Sequence, residues 1–438
     1  MSHPLPSTIH SARRIPRESW LLTLMFTILL VSVQPWVSAQ EGSENALVGV
    51  AKVGAIVVVL ILALTLLRAR APLGYAPAAM AYLLFAVFVI LTAVFLDDSG
   101  SILVRALRLA AGIAAFVLMW PLYRSAPIRL VDALFFAQFL LGLSVVAGLV
   151  LAPGSAWRAT GGTGGTGGTG EPGGRLMGVL LPMLPPRVAE IGAILVGLAV
   201  FYWAFRRFSA WFLAVAFILG VALMVLSKTR TPVAALAVAL ILGTLAVART
   251  KGARRVFAVL GAAGIAALAA LPALLTWLQR GQDPEMLSQL TGRTYVWNFI
   301  LTRQYSPEEL LLGQGLGSKR VTLLRGEGDV NQMAIDNTWL DAFWQTGIIG
   351  LILIILVFVA AWVTCLRAPR GLVRALAVFL MAYITVSSVS ESGLTDFSSH
   401  SIYALVAVSA AAATRVGLPS SITTPLGREA RPLQGVRP

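Results

Sequence analysis

A short run of hydroxyl-bearing and cationic residues, Ser227-Lys228-Thr229-Arg230-Thr231, separates two long apolar stretches in the middle of the chain. Arginine can hold two phosphate oxygens at once, whereas lysine acts as a point charge. Two cations in so short a turn, with no acidic residue beside them in sequence, indicate a site for a phosphate or pyrophosphate. The alternative is that each cation pairs with a carboxylate elsewhere in the fold.

A carboxylate stands where a later apolar stretch begins. Asp336-Asn337-Thr338 immediately precede that stretch, and Asp341 lies one helical turn further on. An Asp or Asn at this place is a good helix N-cap, worth about 1 kcal/mol. The functional alternative is that Asp336 acts as a base or positions an acceptor hydroxyl at the membrane surface, a role that Asp341 could share.

Three further titratable residues, Glu391, Asp396 and His400, gather between the last two apolar stretches. Each is a candidate for the same site, and each is equally explained as a solvated loop residue. They widen the set of candidate residues without assigning a role.

Residues that bind metals or nucleotides are scarce. The single cysteine, Cys365, excludes a disulfide framework, and two of the three histidines, His3 and His10, lie near the N-terminus. The glycines of Leu312 to Gly317 follow no predicted strand, so they are not a dinucleotide-binding fingerprint. We therefore expect no metal ion, no cofactor and no nucleotide sugar.

The elements that position these residues must be membrane helices, because the chain is too apolar to fold as a soluble protein. It has 438 residues, of which 58% are hydrophobic and 12% charged, and its mean hydropathy is +0.83. A soluble domain carries about 25% charged residues. The net charge of +15 would suggest nucleic acid in a soluble protein, but basic loop ends that orient membrane helices explain it better. We expect membrane lipid and no nucleic acid as partners.

Hydropathy predicts an all-α, polytopic membrane protein with about 12 transmembrane helices and a large, partly helical extracytoplasmic loop. An N-terminal tail of residues 1–18 precedes a transmembrane domain of residues 19–415, and a disordered tail of residues 416–438 follows it. The predicted spans are 19–38, 46–67, 77–96, 101–122, 130–151, 187–205, 210–226, 232–248, 256–276, 338–362, 372–390 and 400–415.

The distribution of charge predicts the orientation of these spans. With the N-terminus in the cytoplasm, the inner segments hold 20 of the 34 basic residues and 3 of the 19 acidic ones. We therefore expect a bacterial cytoplasmic membrane protein with both termini inside and its site on the periplasmic or outer face. Arginines 13, 14 and 17 and the later Val37-Ser38-Ala39 imitate a cleavable signal peptide. Eleven further spans favour an uncleaved first helix.

Two of the predicted outer segments are long. Residues 152–186 contain a Thr-Gly repeat and are expected to form a flexible loop. Residues 277–337 contain Leu287, Leu290, Trp297 and Leu301 at near-helical spacing, which predicts a short amphipathic helix on the membrane surface that ends at Leu312 to Gly317.

Many basic residues remain on the predicted outer side, against the usual preference. A group of this kind suggests an anionic partner, and a lipid-linked pyrophosphate in the outer leaflet would suit it. The alternative is pairing with outer carboxylates such as Glu190, Asp283 and Glu285. The outer basic residues are Arg105, Arg108, Arg175, Arg187, Lys228, Arg230, Arg280, Arg293, Arg303, Lys319, Arg320 and Arg325.

Six segments between residues 175 and 400 resemble, in the same order, motifs of the O-antigen ligase and polymerase superfamily of integral-membrane glycosyltransferases. The order of the segments is more specific than any one of them. They are Arg175 to Gly178 followed by Pro182, Ser227 to Thr231, Gly292-Arg293 with Trp297, Leu312 to Gly317, Asp336 to Leu340 running into Gly347-Ile348-Ile349-Gly350, and Ser390-Glu391-Ser392.

The resemblance implies transfer of glycan from an undecaprenyl pyrophosphate carrier to an acceptor sugar on the outer face of the membrane. Arg230 and Arg293 would bind the pyrophosphate, with Asp336 as the third catalytic residue. Ligases of this family carry a histidine where this chain has Asp336, which favours an O-antigen or exopolysaccharide polymerase over a ligase acting on lipid A-core. The expected substrate-binding residues are Arg175, Lys228, Asn337, Trp297 and Glu391.

The reaction expected is independent of metal, because preorganised arginines can stabilise charge on a leaving pyrophosphate. The expected partners are the lipid-linked glycan, a lipid-linked or lipid A-core acceptor, and a chain-length regulator or other envelope-assembly protein. A lipid-linked glycan transporter is the rival from another class. Transporters tend to show inverted repeats and midplane charges, neither of which is visible in this sequence. A non-catalytic scaffold in an envelope-assembly complex is a third alternative.

Overall fold

The structure is a computed structural model that describes residues 17–34, 46–66, 77–96, 99–158, 174–181, 183–272, 293–324 and 330–416. Several predictions fall on residues outside these ranges. They concern the Thr-Gly repeat, the chain ends before residue 17 and after residue 416, and Arg280, Asp283, Glu285, Leu287, Leu290, Gly292, Arg325 and Pro182.

The described chain is a bundle of apolar helices. Each predicted span coincides with a helix, because runs of Leu, Val, Ala and Ile satisfy their backbone hydrogen bonds internally when lipid surrounds them. The helices in these positions are α1 (Arg17–Val33), α2 (Ala46–Leu66), α3 (Pro77–Thr92), α4 (Ser99–Leu118), α6 (Ile128–Leu151), α7 (Pro185–Ala204), α8 (Ala210–Ser227), α9 (Arg230–Leu245), α10 (Lys251–Ala269), α13 (Thr338–Arg367), α14 (Leu372–Ser387) and α15 (Ser399–Val416).

Shorter elements connect these helices. The largest group of them follows α10 and contains two short helices and a hairpin. The short elements are α5 (Trp120–Tyr123), 3₁₀ turns at Ala93–Phe95 and Pro153–Ser155, β1 (Trp157–Arg158), β2 (Arg175–Leu176), α11 (Arg293–Thr302), α12 (Pro307–Leu312), β3 (Arg320–Leu324) and β4 (Val330–Ala334).

Six of the described helices are long and apolar enough to cross a membrane, and five further apolar helices are shorter. The chain is therefore a polytopic, predominantly helical membrane protein. Twelve crossings and the predicted orientation stay predictions. α7 is the central helix, with nearly every residue from Val188 to Ala204 buried. It packs against α8, α6, α9 and α14.

The boundaries of α10 and α13 differ from the sequence prediction. α10 begins at Lys251 rather than near residue 256, because the Thr250 hydroxyl accepts a hydrogen bond from the Ala253 amide and caps the helix. α13 runs to Arg367 and is kinked at Gly347, whose φ of 63° is outside the helical range.

The segment between α10 and α13 is more structured than its sequence suggested. The described part of the predicted amphipathic helix, with Trp297 and Leu301, is α11, which ends at Thr302 and not at the glycine-rich stretch. A capping box between Ser306 and Glu309 then starts α12. The antiparallel hairpin of β3 and β4, with Arg320 opposite Ala334, was not predicted.

The glycine-rich stretch packs against the kink in α13. The amides of Gln314 and Gly315 donate to the carbonyls of Trp344 and Gln345 at 2.8 and 3.0 Å. A Cβ at Gly347 would lie 2.2 Å from the Leu311 carbonyl oxygen. A Cβ at Gly313, whose φ is 78°, would clash with the backbone of α13 at Gly347. Both glycines are therefore required by close backbone approach.

Candidate functional site

Five segments that are distant in sequence meet at one end of the bundle. They are β2, the turn between α8 and α9, the start of α11, the start of α13, and the turn that follows α14. Each predicted site residue lies on one of them. We call this place the arginine site. Its predicted residues are Arg175, Lys228, Arg230, Arg293, Asp336, Asn337 and Glu391.

Arg293 and Asp336 form an ion pair. Nε of Arg293 donates to Oδ2 of Asp336 at 3.1 Å, and the two side chains are 26% and 36% exposed. Arg293 is the first residue of α11, and Asp336 lies two residues before α13. The pair thus joins two separate elements and remains open on one side.

Asn337, and not Asp336, caps α13. Its Oδ1 accepts hydrogen bonds from the amides of Trp339 and Leu340 at 2.9 and 3.0 Å. Its Nδ2 donates to the Val389 carbonyl at 3.1 Å. Asp336 therefore does not cap α13, and its carboxylate pairs with Arg293 instead.

The turn after α14, residues 388–391, ties the start of α13 to the start of α9. Thr338 donates from its amide to the Ser388 carbonyl and from its hydroxyl to the Glu391 carbonyl, at 2.8 and 2.7 Å. The Ser390 hydroxyl donates to that of Thr231 at 3.0 Å. Arg230, the neighbour of Thr231, is thereby placed at the same end of the bundle as the Arg293–Asp336 pair.

Arg175 holds the turn between α8 and α9. Its Nη2 donates to the Thr229 hydroxyl at 2.9 Å, and its Nε donates to the Ser227 carbonyl at 3.3 Å. Burial and the nearby Arg158 lower the pKa of Arg175, while Glu391 raises it. The predicted contact residue Arg175 therefore also positions the turn.

Lys228 ends α8 in the left-handed conformation, with a φ of 50°. For a residue other than glycine this conformation is uncommon and strained, and such strain tends to occur at functional sites. The turn is thus an abrupt reversal, after which Arg230 is the first residue of α9.

Glu391 lies among the charges of the arginine site. Burial raises its pKa to about 7; Arg187 and Arg293 oppose this rise, and the carboxylates of Asp336 and Glu190 add to it. A carboxyl that titrates near neutrality is well suited to exchange a proton.

Trp297 lies one turn after Arg293 on α11 and packs against a small core of Val296, Ile300, Val321 and Trp344. The core fixes α11 on the hairpin and on α13. Trp297 therefore supports the position of Arg293, and contact with substrate stays a prediction for it.

Several outer basic residues pair with carboxylates, as the alternative interpretation of the sequence held. Asp396 binds Arg108 and Lys319 at 2.9 and 3.2 Å, with Arg105 at 3.9 Å. We call these four residues the Asp396 cluster. Burial would raise the pKa of Asp396, but its three cations together hold it below the ordinary value.

Two more of the outer arginines are paired. Arg187 forms an ion pair with Glu190, and Arg303 binds Glu309 at 2.8 Å. The outer basic residues therefore do not form one anion-binding surface, because several of them are neutralised by carboxylates of the same chain.

Glu190 and His400, which the sequence named separately, belong to one buried polar chain that was not predicted. Glu190 accepts a hydrogen bond from the Tyr403 hydroxyl at 2.9 Å, and that hydroxyl accepts one from Gln138 at 2.8 Å. His400 lies 3.5 Å from Glu190 and is 1% exposed. A glutamate in the first turns of an apolar span was the available signal.

Asp341 does not share the position of Asp336. It is fully buried, and its carboxylate accepts hydrogen bonds from Gln345 at 2.6 Å and Thr395 at 2.8 Å. Gln345 in turn accepts from the Gly317 amide at 2.6 Å. Asp341 thus stabilises the packing of the glycine-rich stretch.

Comparison with known families gives a match over part of the chain. Residues 215–355 match the family described as O-Antigen ligase. No protein of curated function matches the chain. The matched segment contains Lys228, Arg230, Arg293, Trp297, Asp336 and Asn337, and leaves Arg175 and Glu391 outside it. The match confirms the resemblance to the O-antigen ligase and polymerase superfamily for the motifs between Ser227 and Gly350. For Arg175 to Gly178 and Ser390 to Ser392, which lie outside it, the resemblance stays a prediction.

Proposed function

We propose that the chain transfers glycan from an undecaprenyl pyrophosphate carrier to an acceptor sugar, at the outer face of the bacterial cytoplasmic membrane. The family match supports a membrane enzyme of polysaccharide polymerisation or ligation. The observation that carries the finer proposal is the open Arg293–Asp336 pair at the end of the bundle where the turn before Arg230 also lies. This arrangement offers cations for a pyrophosphate next to a carboxylate for a hydroxyl.

In the proposed reaction the acceptor hydroxyl oxygen forms a bond to the anomeric carbon of the donor sugar. The bond between that carbon and the pyrophosphate oxygen breaks, and the carrier pyrophosphate leaves. Arg230 and Arg293 stabilise the charge that develops on its oxygens, an effect typically worth 10²–10³-fold in rate for each donor. Asp336 takes the proton of the acceptor hydroxyl, and the polyprenyl tail remains in the lipid.

Polymerase is preferred over ligase because Asp336 stands where the ligases of this family carry a histidine. The two activities share the donor and differ in the acceptor. Lipid-linked products in a deletion strain distinguish them: single repeat units indicate a polymerase, and long chains left on the carrier indicate a ligase. The family description favours keeping the ligase as the second candidate.

Transfer from lipid-linked oligosaccharide by Arg230→Ala and Asp336→Ala variants tests the site. Arg303→Ala is the matched control, since Arg303 lies just beyond α11 and binds a carboxylate of its own at 2.8 Å. We expect a loss of at least 100-fold in the two site variants and activity near wild type in the control. Wild-type transfer by both site variants would overturn the assignment.

A further inference from the structure

An apolar groove lies between α7, α8 and α10, at the end of the bundle opposite to the arginine site. Its volume is about 340 Å³, and its lining includes Val200, Trp203, Phe217 and Val259. α7 has 20 residues and is therefore about 30 Å long. The α7 residues of the groove, Val200 and Trp203, lie about 20–24 Å along the helix from Arg187, which stands at the end nearer to the arginine site.

Cations surround one end of this groove. Arg206 and Arg207 stand in the turn between α7 and α8, and Lys251 and Arg255 lie eight and four residues before Val259, on the same face of α10. Nη1 of Arg255 donates to the Ala204 carbonyl at 2.7 Å, which fixes it beside the groove.

The charge of this rim is largely uncompensated by acidic residues. The sequence contains no Asp or Glu between Glu190 and Asp283. Arg207 binds Asp132 at 2.6 Å, whereas Arg206 and Lys251 are exposed. An anion at the rim would therefore meet at least two cations that face outward.

Exposed tryptophans indicate the depth of the rim in the membrane. Trp203 is 44% exposed and Trp211 is 80% exposed, on either side of the basic turn. Tryptophan is enriched where lipid headgroups meet acyl chains. The basic rim thus lies at headgroup level and the apolar groove at acyl-chain level.

We propose that this groove binds one anionic phospholipid of the bilayer, with its phosphate at the rim of Arg206, Lys251 and Arg255 and one acyl chain in the groove. A zwitterionic lipid brings its own cation to the rim and gains less. Basic residues near the membrane surface each strengthen association with anionic lipid about fivefold. The proposed site is independent of the transfer reaction.

Native mass spectrometry of protein released from nanodiscs of equal phosphatidylglycerol and phosphatidylcholine tests this proposal. Wild type should retain one phosphatidylglycerol in preference to phosphatidylcholine. Arg206→Gln/Lys251→Gln/Arg255→Gln should lose that preference, by about fivefold for each cation removed. Should the triple variant fail to fold, Arg206→Gln/Lys251→Gln changes only exposed side chains and gives the same comparison.

The matched control is Arg367→Gln/Arg370→Gln/Arg374→Gln. It removes the same charge, and Arg374 also donates to a helix-end carbonyl, that of Ala368 at 3.3 Å. A second variant, Ala214→Trp, fills the groove and leaves every charge in place. The proposal would be overturned if the control variant lost the preference for phosphatidylglycerol to the same extent. It would also be overturned if Ala214→Trp retained phosphatidylglycerol undiminished, or if wild type retained both lipids equally.

Discussion

Two carboxylates at the same end of the bundle have opposite surroundings. Asp396 has a side chain that is 3% exposed and binds three cations, whereas Asp336 is 36% exposed and pairs with one cation, Arg293, among the residues that the structure describes. Asp396 thus ties the glycine-rich stretch to α4 and has no room for another partner. In the Arg293–Asp336 pair, each side chain is exposed enough to exchange the other for a group of the proposed substrate. Exposure, more than the number of cations, distinguishes the two.

The largest effect on stability is expected at the Asp396 cluster. Asp396→Asn leaves the partly buried Arg108 and Lys319 without their carboxylate and should lower the free energy of unfolding by about 2–3 kcal/mol, below the range for fully buried pairs because solvent screens both cations. Asp336→Asn should change it by less than about 1 kcal/mol, as for exposed pairs. Thermal unfolding in one detergent measures both. Equal destabilisation by the two variants would remove the distinction between the clusters.

A smaller effect is expected at the cap of α13. Asn337→Ala removes the acceptor of two helix amides and should destabilise the protein by about 1 kcal/mol. Asp336→Ala, one residue earlier, removes no cap and serves as its control. Denaturant titration of both variants checks this order. If Asp336→Ala were the more destabilising, the open pair would have a structural role.

A pH dependence of stability is expected from Glu391. Its pKa is raised from 4.5 to about 7 in the folded chain, so the folded state binds more protons than the unfolded state between these values. Stability should therefore fall as the pH rises from about 4.5 to 7 and level off above that. Unfolding temperatures measured across this range should lose that component in Glu391→Gln. An unchanged slope in the variant would contradict the raised pKa of Glu391.

The sequence predicted the helices well because apolar length decides them when lipid is the solvent. It also predicted Arg230, Arg293 and Asp336 as a group, but through motif order rather than through any visible contact. The pairing of Arg108 with Asp396 spans 288 residues, and no local pattern encodes it. Register between distant helices also placed Glu190 beside Tyr403 and Thr231 beside Ser390.

Local signals explain some of the remaining differences. Thr250 and Ser306 are N-caps, which a hydropathy profile does not detect. Thr250 makes α10 begin earlier than predicted, and Ser306 begins a separate helix after α11. The hairpin of β3 and β4 has strands of only five residues each, for which apolar length carries little information. Such short polar elements are where reasoning from hydropathy is weakest.

The most direct test of the open site is the transfer rate of Arg293→Gln for each folded molecule, set against Arg105→Gln from the Asp396 cluster. Both changes remove one partly exposed arginine that lies near a carboxylate. Arg293→Gln should lose at least 100-fold in transfer with little change in unfolding temperature, and Arg105→Gln should retain its transfer rate. Wild-type transfer by Arg293→Gln, or an equal loss in Arg105→Gln, would contradict the account.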